Sequence, residues 1–84
     1  MKTFEVTAHG HRIELGLSFW TGKERITCDG RVVSEKRSFQ HLTAHFFTVR
    51  EGNAEVVYEV NVIGNGLYLG YIVRRDGIIV ACKP

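Results

Sequence analysis

Four histidines are the residues of this chain most suited to metal binding. His9 and His11 flank Gly10, and a His-x-His pair on a strand points both rings to one face, which suits a zinc or copper site. Gly10 is expected to lie in a turn, which weakens that geometry. His41 and His45 share a face only on an unbroken strand or on a helix. The histidines are therefore predicted to be polar surface residues rather than a metal centre.

The two cysteines, Cys28 and Cys82, could complete a ligand set with the histidines. Structural zinc sites usually show close spacing such as C-x2-C, which this chain lacks. Asp29 directly follows Cys28, and a neighbouring carboxylate raises the pKa of a thiol, so Cys28 is a poor nucleophile. We expect free thiols in a reducing compartment and no bound metal or cofactor. A bridge between the two cysteines stays open, because the sequence gives no distance.

Nucleophilic catalysis and phosphate binding have only weak candidates. A nucleophilic serine needs a base and an orienting carboxylate, and Ser18, Ser34 and Ser38 lie in predicted strands without a nucleophile-elbow context. Gly22-Lys23 lacks the rest of a phosphate loop and any following helix, so a hairpin turn with a solvated lysine is expected. The chain is therefore predicted to be non-enzymatic and to have no catalytic residues.

Aromatic residues are the candidates for contact with a partner. Trp20 directly follows Phe19, so the two side chains point to opposite faces if the strand continues. Trp20 is then either an exposed anchor for a partner or a cover over the end of the core. Tyr68 and Tyr71 raise the same question on either side of Gly70. We assign Trp20 and Tyr68 to a predicted interaction surface.

Length and composition predict one small globular domain. The 84 residues are 44% hydrophobic and 24% charged, which is ordinary for a folded domain, so we expect a single β domain over residues 1–84. The formal net charge is only +2, with basic and acidic residues interspersed, so no nucleic-acid partner is expected. The start "MKTFEVTAHG" has no apolar signal region, and no apolar run is long enough to cross a membrane. We therefore expect a cytoplasmic protein without membrane contact.

Short runs rich in Val, Ile, Thr, Phe and Tyr, separated by glycines, predict about eight β-strands. The two clearest alternating runs each place four apolar residues on one face: Ile13, Leu15, Leu17 and Phe19 in the first, and Val56, Tyr58, Val60 and Val62 in the second. One stretch, residues 33–46, also fits a helical spacing. We favour a strand and a loop there, because its neighbours are all predicted strands and it lacks clear caps.

The Asp-Gly pairs at 29–30 and 76–77 predict two tight hairpins, since Asp-Gly tolerates the positive φ angles that a type I′ turn requires. The segments "RIELGL" at 12–17 and "EVNVIG" at 59–64 precede them with similar patterns. This repetition predicts two similar halves, each with a long strand followed by an Asp-Gly hairpin. The predicted fold class is all-β, an antiparallel β-sandwich of about eight strands built from consecutive hairpins, with a flattened β-barrel as the alternative.

The stretch "TGKERITCDGRVV" at 21–33 resembles the β-sandwich domain of the Fas apoptotic inhibitory molecule family. That family has a Gly-Lys pair, a five-residue strand, then Asp-Gly and a basic residue. The following "EKRSFQHL" looks like the family's basic-then-aromatic segment, with Phe39 near a position where the family tends to carry Trp. "GLYLGYIVRRDGIIV" at 66–80 is similar to the family's closing hairpin, with Gly66, Tyr71, Val73 and Gly77 at the matching positions.

The resemblance covers roughly residues 13–80 and carries its own expectations. It implies a compact sandwich, a cytosolic setting and protein partners rather than substrates. It transfers no catalytic residues, because the family has no such motif. Animal members have two domains, whereas this chain has the length of one. The resemblance thus favours a protein-interaction domain over the alternative, a small-ligand or metal-binding β-domain.

The closing strands are apolar on both faces. In the last strand, Ile78 and Val80 oppose Ile79 and Ala81, so neither face is polar. A sheet that is apolar on both sides needs a second cover, supplied either by the other half of the chain or by another chain. We therefore add Ile79 to the predicted interaction surface and expect self-association or partner binding through the C-terminal hairpin.

Overall fold

The computed structural model describes residues 2–18, 20–37, 42–64 and 69–83, and every regular element among them is a β-strand. The first four strands are β1 Lys2–Ala8, β2 His11–Leu17, β3 Lys23–Cys28 and β4 Arg31–Arg37. The next four are β5 Leu42–Glu51, β6 Ala54–Gly64, β7 Leu69–Arg75 and β8 Ile78–Lys83. None of the described residues lies in a helix that could span a membrane.

The strands form two separate antiparallel sheets, each with its strands in chain order: β1-β2-β3-β4 and β5-β6-β7-β8. Strands that pair with each other are always consecutive in the chain and form hairpins. The predicted all-β class is confirmed, and the two four-stranded sheets are consistent with the predicted β-sandwich. The flattened-barrel alternative is wrong, because the sheets are not closed into one barrel. The helical alternative is also wrong for the described part of 33–46, which belongs to β4 and β5.

The backbone divides into two compact units, residues 1–39 and 40–84, and each unit contains one sheet. This division coincides with the two similar halves read from the sequence. The expectation that residues 1–84 act as a single domain stays a prediction.

The first unit is built on the alternation of β2. Ile13 and Leu15 are fully buried, and in register they face the buried Val6 on β1 and the buried Ile26 and Cys28 on β3. Because paired residues in a sheet share a face, the alternating pattern places all of these side chains on the same side. Each fully buried aliphatic side chain contributes about 1.5–3 kcal/mol relative to an exposed one.

The second unit is built on β6, the longest strand. Val56, Tyr58, Val60 and Val62 are all buried, as the sequence predicts. The ring of Tyr58 stacks on its partner across the ladder, Phe47, with 5.5 Å between ring centroids. The strand order places β6 between β5 and β7, so its buried side chains are packed from both neighbours.

Both Asp-Gly pairs form tight turns, as predicted. Asp29 and Gly30 have φ angles of 52° and 84°, and Asp76 and Gly77 have 49° and 84°, the left-handed values that a type I′ hairpin requires at both central positions. In each hairpin the register shifts by one residue soon after the turn, which leaves a bulge on β4 and on β8. The two halves therefore share both the turn and the irregularity that follows it.

Candidate functional site

The aspartate of each Asp-Gly turn forms hydrogen bonds with the neighbouring strand outside the hairpin, which is β2 at the first turn and β6 at the second. The Asp29 backbone N–H donates to the Arg12 carbonyl at 2.8 Å, and the Asp29 carboxylate Oδ1 accepts the Arg12 N–H at 2.9 Å. Asp76 repeats this with Val57, at 2.8 Å and 2.9 Å. The aspartate therefore extends the ladder of β2 or β6 by one residue, and its second carboxylate oxygen is left to other contacts.

At the first turn that second oxygen meets two metal-ligating side chains. Asp29 Oδ2 lies 2.8 Å from His11 Nδ1 and 3.9 Å from Cys28 Sγ. One donor atom from each of the three residues falls within 4.8 Å of the others. Their approach follows from register, since Ile13 pairs with Cys28 and His11 lies two residues before Ile13, on the same face. We call His11, Cys28 and Asp29 the first-turn cluster.

Hydrogen bonding and burial set the proton affinities in the first-turn cluster. The hydrogen bond with the His11 ring, followed by that from the Arg12 N–H, lowers the pKa of Asp29 below its ordinary value. Burial raises the pKa of the Cys28 thiol, and the Asp29 carboxylate raises it further. The predicted effect of Asp29 on Cys28 is confirmed. The cluster therefore combines a carboxylate, an imidazole and a thiol whose raised pKa makes it a poor nucleophile. The thiol must lose its proton before it can bind a cation.

The second turn carries different chemistry on the same backbone. Val56 and Arg75 stand where the first turn has His11 and Cys28, and neither offers a metal ligand at neutral pH. The Arg75 guanidinium donates to Glu51, which also accepts the Tyr58 hydroxyl at 2.9 Å. Burial, followed by the hydrogen bond to Glu51, raises the pKa of Tyr58 to about 12.

The face of the second sheet opposite its buried side chains is partly apolar and exposed. Phe46, Glu59, Arg74 and Ile79 are successive partners across β5 to β8, so their side chains lie in one row on one face. Phe46 and Ile79 at the ends of the row are 59% and 53% exposed. Glu59 and Arg74 between them pair at 3.7 Å.

Further apolar side chains extend this row. Leu42 and Val57 are exposed on the same face, and Ile72 is half-buried between β6 and β8. We call the set Leu42, Phe46, Val57, Ile72 and Ile79 the outer apolar surface. Because Glu59 and Arg74 pair with each other, the centre of this surface presents little net charge.

The predicted interaction residues fall in different places. Ile79 belongs to the outer apolar surface. Trp20 lies in the connection between β2 and β3 and is 95% exposed, so it does not cover the end of the core. Its role as an anchor stays a prediction. Several residues named from the sequence lie outside the described residues: Phe19, Ser38, Phe39, His41, Gly66 and Tyr68.

The histidine expectation is only partly right. His9 is exposed in the turn between β1 and β2, as expected of a polar surface residue. His45 is fully buried, because β5 pairs it with the buried Val60. Cys28 and Cys82 are both free thiols. The sequence links Cys28 to the adjacent Asp29 but missed the first-turn cluster, because His11 lies on β2 and only the β2–β3 register brings it to them.

Comparison of the chain with protein-family models, with curated proteins and with solved structures gives no significant match in any of the three.

Proposed function

We propose that this chain is a non-enzymatic protein-interaction domain that works in the cytoplasm and binds neither nucleic acid nor membrane. The resemblance of "TGKERITCDGRVV" and "GLYLGYIVRRDGIIV" to the Fas apoptotic inhibitory molecule family supports this proposal from the sequence. The observation that carries it is the outer apolar surface, which ends at strand β8. Exposed apolar side chains gathered on one face are typical of protein contact sites.

The edge strand β8 is the second support. Natural edge strands usually carry charged residues that discourage pairing with another chain. The edge strand β4 of the first sheet has Arg31, Glu35, Lys36 and Arg37, whereas β8 has no charged residue from Ile78 to Cys82. Both strands contain a bulge, so charge is what distinguishes them. The sequence of β8 therefore leaves it open to strand addition.

The partner that we propose for β8 is a second copy of the chain. Two β8 strands can pair antiparallel about a two-fold axis, which continues the sheet across the interface. When all six residues pair, Ile79 of each copy lies opposite Cys82 of the other. The contact would be weak, because β8 has only six residues. The exposed Ile78 at the turn would lie at the margin of the same contact.

A matched pair of substitutions tests this contact. Ile79 and Val32 both stand three residues after the aspartate of their Asp-Gly turn and are 53% and 56% exposed. Ile79→Lys places a charge on β8, and Val32→Lys makes the same change on β4. We expect wild type and Val32→Lys to show concentration-dependent sedimentation under reducing conditions, and Ile79→Lys to stay monomeric.

The proposed self-association is wrong if wild type remains a strict monomer at millimolar concentration. It is also wrong if Ile79→Lys, with an unchanged circular dichroism spectrum, associates as strongly as wild type. Reducing conditions matter because Cys82 on β8 is exposed and could link two chains through a disulfide.

A further inference from the structure

We infer that the first-turn cluster is a binding site for a borderline-soft divalent cation, with Zn²⁺ as the best fit. His11 Nδ1, Cys28 Sγ and Asp29 Oδ2 are the proposed ligands. This site belongs to the first unit and shares no residue with the outer apolar surface, which belongs to the second.

The donor set selects the class of cation. Hard cations such as Mg²⁺ and Ca²⁺ take oxygen ligands almost exclusively. Imidazole and thiolate suit Zn²⁺, which also accepts a carboxylate oxygen. Three protein ligands would leave a fourth tetrahedral position for water or for a group from outside the chain.

The distances are close to those that a tetrahedral site needs. With Zn–N, Zn–O and Zn–S bonds of about 2.0 to 2.3 Å, neighbouring ligand atoms lie about 3.3–3.7 Å apart. Asp29 Oδ2 is 2.8 Å from His11 Nδ1, now bridged by a hydrogen bond, and 3.9 Å from Cys28 Sγ. The third separation, between the His11 and Cys28 donor atoms, is within 4.8 Å, so side-chain movements that close it bring the three atoms to coordination distance.

The surroundings orient the ligands and leave a path for the ion. Asp29 Oδ1 is held by the Arg12 N–H at 2.9 Å, which fixes the carboxylate and leaves Oδ2 for the cation. Cys28 is buried, whereas the Asp29 side chain is 51% exposed, so an ion can reach the cluster from the solvent side. On binding, Nδ1 of His11 serves as a ligand and therefore carries no proton. The Cys28 thiol releases its proton to solvent and forms the Cys28 Sγ–metal bond.

Titration with Co²⁺, a spectroscopic substitute for Zn²⁺, tests the site in the full chain. We expect one Co²⁺ per chain, a thiolate-to-cobalt charge-transfer band, and displacement of Co²⁺ by Zn²⁺. Cys28→Ser should abolish the band, and His11→Ala should weaken binding at least about tenfold. Cys82→Ser and Asp76→Asn are the controls, because they change the other thiol and the equivalent aspartate, and both should bind as wild type does.

The inference is overturned if wild type shows no charge-transfer band at millimolar Co²⁺, or if Cys82→Ser removes the band and Cys28→Ser keeps it. A measurement on wild type covers the case in which a variant fails to fold. Zn²⁺ should shift the NMR signals of residues 11, 28 and 29 and leave those of 56, 75 and 76 unchanged. Equal shifts at both turns, or none at either, would also overturn it.

Discussion

The two Asp-Gly hairpins share a backbone and differ in what their flanking residues do. In both, the aspartate and glycine have left-handed φ angles, the aspartate binds one residue of the neighbouring strand, and a bulge follows. At the first turn, His11 and Cys28 gather around Asp29. At the second turn, the Arg75 guanidinium donates a hydrogen bond to Glu51, and strand β8 after the turn has no charged residue up to Cys82. One turn design thus supports a polar cluster in one half and an apolar edge in the other.

The largest expected effect tests whether the two halves fold as one domain. Ile13 in the first unit is fully buried, and replacing it with Ala should lower the free energy of unfolding by about 2–5 kcal/mol. If residues 1–84 form a single domain, the protein unfolds in one transition, and Val60→Ala in the second unit should lower the midpoint of that same transition. Urea unfolding followed by NMR signals from both units is the measurement.

The control for these core changes is Val32→Thr, an exposed position on β4 that should shift stability by no more than about 0.5 kcal/mol. Two separate transitions, with Ile13→Ala affecting only the first unit, would show that the halves are independent domains.

The next largest effect is a loss of folding stability at alkaline pH, and it arises from Tyr58 beside the second turn. Tyr58 is fully buried between Glu51 and Arg75, and its pKa is raised to about 12 from an ordinary value of 10.0. The folded state therefore binds the phenol proton more tightly than the unfolded state. This contribution is fully present below pH 10 and is lost as pH rises to 12. We expect a loss of about 2–3 kcal/mol over that range.

Denaturant unfolding at several pH values measures this loss, and Tyr58→Phe is the control that should lack it. The assignment would be contradicted if Tyr58→Phe lost as much stability as wild type between pH 10 and pH 12. The first turn has no equivalent tyrosine, so this dependence distinguishes the two halves.

Substitution of either turn glycine, Gly30 or Gly77, should destabilise the protein by the same amount. A Cβ at Gly30 or at Gly77 would meet nothing within 4 Å, so a side chain there is strained by its φ angle and not by crowding. Gly30→Val and Gly77→Val should each destabilise the protein by about 1–3 kcal/mol, because a β-branched residue avoids positive φ. Unchanged urea midpoints for both variants would show that the turns do not need this geometry.

The smallest expected effect is the difference in destabilisation between alanine variants of the two turn aspartates. Asp76→Ala removes the hydrogen bond to the Val57 N–H, at a cost of about 0.5–1.5 kcal/mol. Asp29→Ala removes the same bond to Arg12 and also the contact with His11. We expect Asp29→Ala to be the more destabilising variant in metal-free buffer, and thermal unfolding would measure the difference. A larger effect of Asp76→Ala would contradict the equivalence of the two turns.

The strands and both Asp-Gly turns could be predicted because they depend on local residues. Alternation alone placed Ile13 and Tyr58 in the core, and the two Asp-Gly pairs located the β3–β4 and β7–β8 hairpins. β5 shows the limit of this reasoning. Its Leu42 and Phe46 point outward, while His45 is buried on the same face as Phe47. The strong alternation of β6 fixes which face is buried, and pairing with β6 imposes that choice on β5.

The first-turn cluster could not be predicted for a related reason. Cys28 and Asp29 are adjacent, but His11 lies 17 and 18 residues before them, and no local spacing links it to the pair. The β2–β3 register and the left-handed Asp29 together bring the donor atoms within 4.8 Å. The aspartate also has a role that no motif shows, because its two carboxylate oxygens divide between the backbone of β2 and the cluster.

One NMR experiment on the wild-type chain tests the division of roles between the two hairpins most directly. A dilution series and a Zn²⁺ titration are recorded on the same isotope-labelled sample under reducing conditions. Dilution should shift the signals of residues 78–83 and leave those of 31–37 unchanged, while Zn²⁺ should shift residues 11, 28 and 29 and leave 56, 75 and 76 unchanged. Shifts of equal size at both hairpins in either series would contradict the proposal that the shared turn supports two different functions.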